Sequence, residues 1–299
     1  MTARFDHAVI AVADLERAVG AYRSLGFDVF PGGRHEHRGT HNALIRFDGG
    51  QYIELLSVYD PDRAMRSGPN GRALAEFLRD REGGLVGHCY ATHDIETEAA
   101  RMRGAGLDLV GPFEMRRQRP DGRALTWRLL VPVDVPWRRR WPFFIQWDDP
   151  VEERLAVEGV GAHPNGASAV TGAAVGVRDL EEARTLYSVL FDAEPLRRDD
   201  VAGVVVERAT LDIPGFTIDL LAPNGEGPVQ QAIERDGEGP LEVTVEVADP
   251  ATTAELLAHA GIEPKEAREG TFRVPAGAAL GARLVFAGPS GRQGTQEAS

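Results

Sequence analysis

One frame is written twice in this chain. Ala8 to Glu16 (Ala-Val-Ile-Ala-Val-Ala-Asp-Leu-Glu) is answered by Ala173 to Glu181 (Ala-Ala-Val-Gly-Val-Arg-Asp-Leu-Glu), and Gln51 to Leu56 by Phe216 to Leu221. Asp14 to Asp179 and Glu54 to Asp219 span the same interval of 165 residues. The chain is a duplication, which restricts it to folds built from one repeated unit. In the first copy His7 and Glu54 stand on short apolar strands; in the second their places are taken by Gly172 and Asp219. Histidine chemistry therefore belongs to the first half.

The unit itself reads as a strand over 4–12, a helix from Asp14 to about Leu25, a short strand at 27–30, a polar loop at 31–40, and strands at 41–47 and 51–58. Asp14 is a natural N-cap, Ala18, Ala21, Tyr22 and Leu25 recur at helical spacing, and Gly26 ends the helix. Gly49-Gly50 between two alternating runs predicts a tight hairpin. The same order can be traced over 85–149, with Asp94 as cap, and again over 241–287, with Asp249 as cap. A further helix near Gly71 to Arg81 bridges the first two units. The expected organisation is a first domain over 1–150 (modules at about 4–58 and 85–149), a polar linker over 151–167, a second domain over 168–288 and a flexible tail over 289–299.

With 299 residues, 42% of them hydrophobic, the chain can build two cores. A net charge of −13 argues against a nucleic-acid partner, since phosphate binding needs clustered cations. The run Trp137-Arg138-Arg139-Arg140-Trp141 is the local exception, readable as a solvated turn or as an anion contact. A single cysteine, Cys89, rules out an intramolecular disulfide, fits a reducing compartment and reads as a core thiol. No segment approaches the roughly 18 apolar residues of a membrane span, so no membrane partner is expected and the cytoplasm is the expected location.

Paired βαβββ units, with a histidine on the first strand and a glutamate on the last, resemble the vicinal oxygen chelate superfamily and most of all its glyoxalase-like branch. The resemblance rests on Asp6-His7-Ala8-Val9, Leu25-Gly26-Phe27, Tyr52-Ile53-Glu54-Leu55, Trp127-Arg128 and Pro142 to Asp148. It implies an α+β fold, that of the glyoxalase/bleomycin resistance/extradiol dioxygenase group, with four modules forming two curled-sheet domains. It also implies a divalent metal (zinc, iron, manganese or nickel) in an open cleft, chelated by a small-molecule substrate. Carried onto this chain, the metal positions of the first module are His7 and Glu54. In the second module, counting back from Asp94 lands on Gly87, His88 fits only if the strand is shortened or bulged, and Gln146 stands where the branch usually has glutamate. Imidazole, carboxylate and amide oxygen suit such metals. The bland alternative is that His7 caps the sheet and Glu54 is tied to an arginine.

Arg34, His35, His37, Arg38 and His41 crowd beside the same cleft. Of these, His41 is expected to face the cleft as a hydrogen-bond donor or acid/base group, with Arg34 and Asn42 near substrate, while His35 and His37 are expected in a solvated loop. Arg119 and Arg128 would bind a carboxylate or enolate, or else lie exposed on an edge hairpin; Trp127 and Phe144 would wall the pocket. The leading expectation is a metal-dependent enzyme of lyase or isomerase type, with Glu54 as base. Gln146 in place of a second glutamate puts lactoylglutathione lyase activity out of the expectation. Two alternatives remain. One is a metal-free binder that sequesters a small molecule such as an antibiotic; the other is an extradiol-type dioxygenase, for which the later pair offers only Gly172, Asp219 and Glu242. The cleft would be completed within one chain or across a homodimer.

Overall fold

Four aspartates start four helices. In the computed structural model, which describes residues 3–118, 122–132, 142–194, 197–200, 206–268 and 270–289, Asp14, Asp94, Asp179 and Asp249 each accept a hydrogen bond from a first-turn backbone N–H. Such side-chain acceptors satisfy donors that a helix start leaves free. Each of these helices follows one strand and precedes three, giving four βαβββ modules.

The first module is β1 (Arg4–Val12), α1 (Leu15–Ser24), β2 (Phe30–His35), β3 (Thr40–Arg46) and β4 (Tyr52–Val58). Helices α2 (Pro61–Arg66) and α3 (Pro69–Arg79) lead to the second: β5 (Gly83–Ala91), α4 (Ile95–Gly104), β6 (Leu109–Gln118), β7 (Ala124–Pro132) and β8 (Phe143–Trp147). The polar connection contains a helix, α5 (Val151–Glu158). The third module is β9 (Ala167–Gly176), α6 (Leu180–Phe191), β10 (Arg197–Asp200), β11 (Val206–Ile213) and β12 (Phe216–Pro223). After α7 (Pro228–Asp236) comes the fourth: β13 (Gly239–Val247), α8 (Pro250–His259), β14 (Lys265–Arg268), β15 (Thr271–Arg273) and β16 (Leu284–Ala287).

The duplication extends to residue register. In β1 and β4, His7 lies beside Tyr52 and Val9 beside Glu54; in β9 and β12, Gly172 lies beside Thr217 and Ala174 beside Asp219. A β-bulge recurs in all four modules, at Asp6, Val86, Thr171 and Leu241, each eight residues before its capping aspartate. A bulge sets two residues against one and resets which face the chain presents. The residue after it is His7, Gly87, Gly172 or Glu242 in turn.

The two halves differ in closure. The second sheet is open, in the order β10-β11-β12-β9-β13-β16-β15-β14, whereas the first closes into a barrel, β1-β4-β3-β2-β6-β7-β8-β5. Among the described residues the closing seam is one pair, Arg34 with Gln118. Beyond it Glu36–Arg38 leave the sheet as a single 3₁₀ turn. In place of an open cleft, the first half encloses its interior.

An apolar cluster including Val9, Ala11, Val86, Cys89 and Ile145 fills part of the barrel, and Leu74 of α3 joins it from one end. At the other end α5 sets Val151 against Gly50 and Arg154 against Trp147. The barrel's outer wall shares one core with the second half: Phe5 stacks on Phe216 with ring centroids 4.2 Å apart, and the Tyr22 hydroxyl donates to the Ala279 carbonyl. No helix among the described residues is long and apolar enough to cross a membrane.

Candidate functional site

Strand neighbours ordinarily point to opposite faces, but the bulge at Asp6 brings its carboxylate beside the His7 ring. His7 Nδ1 lies 2.7 Å from Asp6 Oδ1. Burial alone would raise the Asp6 carboxyl. The bond and charge of His7, the Arg154 guanidinium with Nη2 4.0 Å from Oδ2, and the Trp147 indole N–H donating at 3.0 Å outweigh it and hold the carboxyl below its ordinary value. An ionised Asp6 is acceptor-only, so Nδ1 carries the hydrogen and the lone pair of Nε2 is left for the cavity. The ring is clamped by Tyr52, stacked at 4.4 Å, and by the edge of Phe143 at 5.6 Å.

Glu54 enters from β4, with Oε2 4.0 Å from His7 Nε2. Its other oxygen accepts from Asn42 Nδ2 at 2.6 Å, while Asn42 Oδ1 accepts from the Gly33 N–H at 2.9 Å, which fixes the amide's orientation. Gly32 makes room for this arrangement, since a Cβ there would stand 2.0 Å from Asn42 Oδ1. These groups open onto a cavity of about 100 Å³ inside the barrel, walled by Trp127, Trp147, Phe143, Leu74 and Ile145. For scale, a dry cavity of ~150 Å³ takes up benzene.

Three basic residues complete the lining. His35 is buried, bonds Thr40 Oγ1 at 3.0 Å and meets the edge of Trp127; burial pushes it down to about 4, despite Glu54 and with Arg117 and Arg38 adding to the shift, so it is neutral at pH 7. Arg117, 2% exposed, is neutralised by Glu158 of α5 at 2.5 Å. Arg38 stands at the mouth, against Met115 Sδ at 3.5 Å and over the Phe113 ring at 5.8 Å. None of these contacts was legible locally. The Gly32-Gly33 pair hides β2 as a strand, and with it the inward turn of His35.

Of the residues expected at the site, His7, Glu54, Asn42 and Trp127 meet in this cavity. His88 does not. The second module's equivalent of His7 is Gly87, and His88, one residue on, presents the other face, where its Nδ1 meets the Tyr90 hydroxyl at 3.1 Å. Gln146 also faces away, its Oε1 accepting from Ile95 N–H at 2.9 Å at the start of α4. The register partner of Cys89 is Phe143, as that of Val9 is Glu54, so Phe143 holds the place equivalent to Glu54. His41 lies on the outer face of β3, edge-on to Tyr59, with Arg34 over the same ring at 4.9 Å. Arg128 pairs with Glu96 at 3.4 Å outside the barrel. Phe144 is fully buried in the core shared by the two halves, 5.8 Å from Phe191. Arg119 and the run 137–141 lie outside the described residues.

The donor set therefore falls short of the metal site that the resemblance implies. His7 and Glu54 supply two suitable donors, but Gly87 and Phe143 supply none, and among the described residues no three His, Cys, Asp or Glu side chains are grouped to hold a metal ion.

Residues 5–191 match the family model described as a glyoxalase-like domain. An ethylmalonyl-CoA/methylmalonyl-CoA epimerase of Cereibacter sphaeroides is 31% identical over 118 residues, 38% of this chain and 79% of that protein. Among solved structures, a hypothetical protein from Staphylococcus aureus superposes with a TM-score of 0.68 at 17% identity, covering 96% of this chain and 100% of the other. A mutant 4-hydroxymandelate synthase from Streptomyces coelicolor gives 0.66 at 14% identity, covering 95% and 92%. At those identities the two structures bear on the fold alone.

Proposed function

This chain belongs to the glyoxalase-like domain family of the vicinal oxygen chelate superfamily, and from that premise we propose that its closed barrel is an isomerase- or lyase-type active site moving a proton on carbon in a small oxygenated molecule. The observation that carries the reading is the pair His7 and Glu54, 4.0 Å apart at the polar end of an aromatic-walled cavity. Glu54 takes the proton from a carbon beside a carbonyl, and the bond's electrons pass to the carbonyl oxygen. His7, held as one tautomer by Asp6, takes that proton from Glu54 on the free lone pair of Nε2 and returns it to carbon. Positioned acid/base groups of this kind contribute about 10²–10⁴-fold in rate. Asn42 holds Glu54 in place, and the walls exclude water. No step is routed through a metal, because the donors available do not build its site.

The epimerase named among the relatives supports chemistry of this type and sets the first panel: 2-oxo acids, hydroxyketones and branched acyl thioesters in D₂O, with exchange of the proton beside the carbonyl followed by NMR. Exchange that depends on Glu54 supports the proposal; occupation of the cavity by enolisable members of the panel with no exchange in any of them overturns it. The second reading, a metal-free small-molecule binder, is favoured by one observation. The two ligand positions of the second module are Gly87 and an aromatic wall residue, Phe143. That reading takes over if ligands bind tightly and no proton exchanges.

A further inference from the structure

We propose that Arg38 selects the ligand, and that the barrel cavity takes a compact organic monocarboxylate whose carboxylate seats on this guanidinium. The inference rests on the reading of the barrel as the active site and names the class of molecule it accepts. Four residues, His35, Arg38, Met115 and Trp127, line both the inner cavity and a larger outer vestibule of about 640 Å³, so Arg38 stands where the two meet. The vestibule lies beyond the Arg34–Gln118 seam, where the 3₁₀ turn at Glu36–Arg38 and the β6 residues Phe113 to Arg116 face one another without ladder pairing. A ligand entering from the vestibule passes Arg38.

Charge accounting singles this residue out. Arg117, the other arginine lining the cavity, is neutralised by Glu158. Arg38 has no carboxylate within 4.0 Å among the described residues; its guanidinium meets a thioether and a phenyl face. A cation half-buried against apolar groups has lost hydration that those groups do not replace, and a ligand carboxylate restores it through charge-assisted hydrogen bonds. At the inner end the situation is reversed. Glu54 is acceptor-only when ionised and repels a second anion, while the second Nδ2 hydrogen of Asn42 suits a carbonyl oxygen. The site is thus polarised, anion at the mouth and carbonyl inside, which favours a monocarboxylate over a dicarboxylate. The inner cavity limits the body to about one ring.

The test is calorimetric titration of the full chain with benzoylformate, a one-ring 2-oxo carboxylate with no exchangeable carbon-bound proton beside its carbonyl, and with its methyl ester. Wild type is expected to bind the acid at least about tenfold more tightly than the ester, with affinity falling as salt rises. Arg38→Met abolishes the preference and Arg38→Lys restores part of it; circular dichroism establishes that both variants are folded. Equal binding of acid and ester by wild type, a preference retained in Arg38→Met, or no binding of the acid overturns the proposal. Glu54→Gln, run in parallel, keeps acid binding and loses proton exchange on the panel above. Loss of the acid preference with exchange intact refutes Arg38 alone; acid preference with no exchange refutes the proton-transfer reading alone.

Discussion

The Asp6 carboxylate and the His7 imidazole, on consecutive residues of one strand, are joined at 2.7 Å across a β-bulge that turns both toward the same side. The bulge is a property of all four modules, but only the first carries a charge in it; Val86, Thr171 and Leu241 occupy the others. One carboxylate in a repeated backbone feature thus converts a generic strand irregularity into an oriented histidine.

Removing that carboxylate leaves Arg154, itself 3% exposed, without its charge partner. Breaking a buried pair from one side costs about 3–5 kcal/mol, so Asp6→Ala is expected to lower unfolding stability in urea by about 3 kcal/mol or more. The pH dependence has a definite sign. Asp6 is held below its ordinary value in the folded state, so its contribution is present above the unfolded value of about 3.9 and is lost as pH falls through the folded value. Wild type weakens below about pH 4 more steeply than Asp6→Asn does.

His35 acts in the same sense but over a higher pH window. Its folded value, about 4, lies below the unfolded value of about 6.5. The unfolded chain therefore binds the proton first, and stability is fully present above about pH 6.5 and lost as pH falls toward 4. The loss reaches up to about 3 kcal/mol. Stability of wild type and His35→Gln measured from pH 7.5 to 4 should diverge in slope over that window. Parallel curves would mean that His35 is solvated.

His88→Ala and Gln146→Ala are expected to leave ligand binding by the barrel intact, because both side chains face away from the cavity. Gln146→Ala loses one bond to the start of α4 and costs about 1 kcal/mol. Zinc titrations of these two variants should match wild type, with the weak affinity of a two-donor site, while His7→Ala and Glu54→Ala remove it.

Phe5 on Phe216 and Phe144 beside Phe191 join the two halves in one core. Phe216→Ala is expected to cost about 3–5 kcal/mol, and the halves should unfold together. All four tryptophans, Trp127, Trp137, Trp141 and Trp147, lie in the first half, so fluorescence follows that half while circular dichroism follows both. Coincident urea transitions are predicted; separate ones would show independent domains.

How much of this was legible in the sequence depended on range. The capping aspartates and the His7–Glu54 pair could be read because capping is local and the repeat displays its own register. The count from Asp94 back to Gly87 was the right one, and the bulge at Val86 is compensated in the same way in every module, so it leaves His88 on the wrong face. Barrel closure through one Arg34–Gln118 pair is long-range and leaves no periodic signal. The burial of Arg117 and Arg154 follows from α5 packing against the barrel end, which its polar, turn-rich composition disguised. Gly32 and Gly33 break the strand pattern that turns His35 inward, so in the sequence it reads as a solvated loop residue.

Proton transfer on carbon by Glu54 and His7 inside the barrel can be observed as isotope exchange. The most direct measurement is the rate at which the C3 protons of 2-oxobutyrate, a small enolisable monocarboxylate, exchange in D₂O, compared among wild type, Glu54→Gln and His7→Ala. The account predicts exchange above the buffer rate with wild type and a fall of about 10²–10⁴-fold in each variant. Exchange no faster than buffer for wild type, with 2-oxobutyrate shown to occupy the cavity, or equal exchange in wild type and Glu54→Gln, would contradict it.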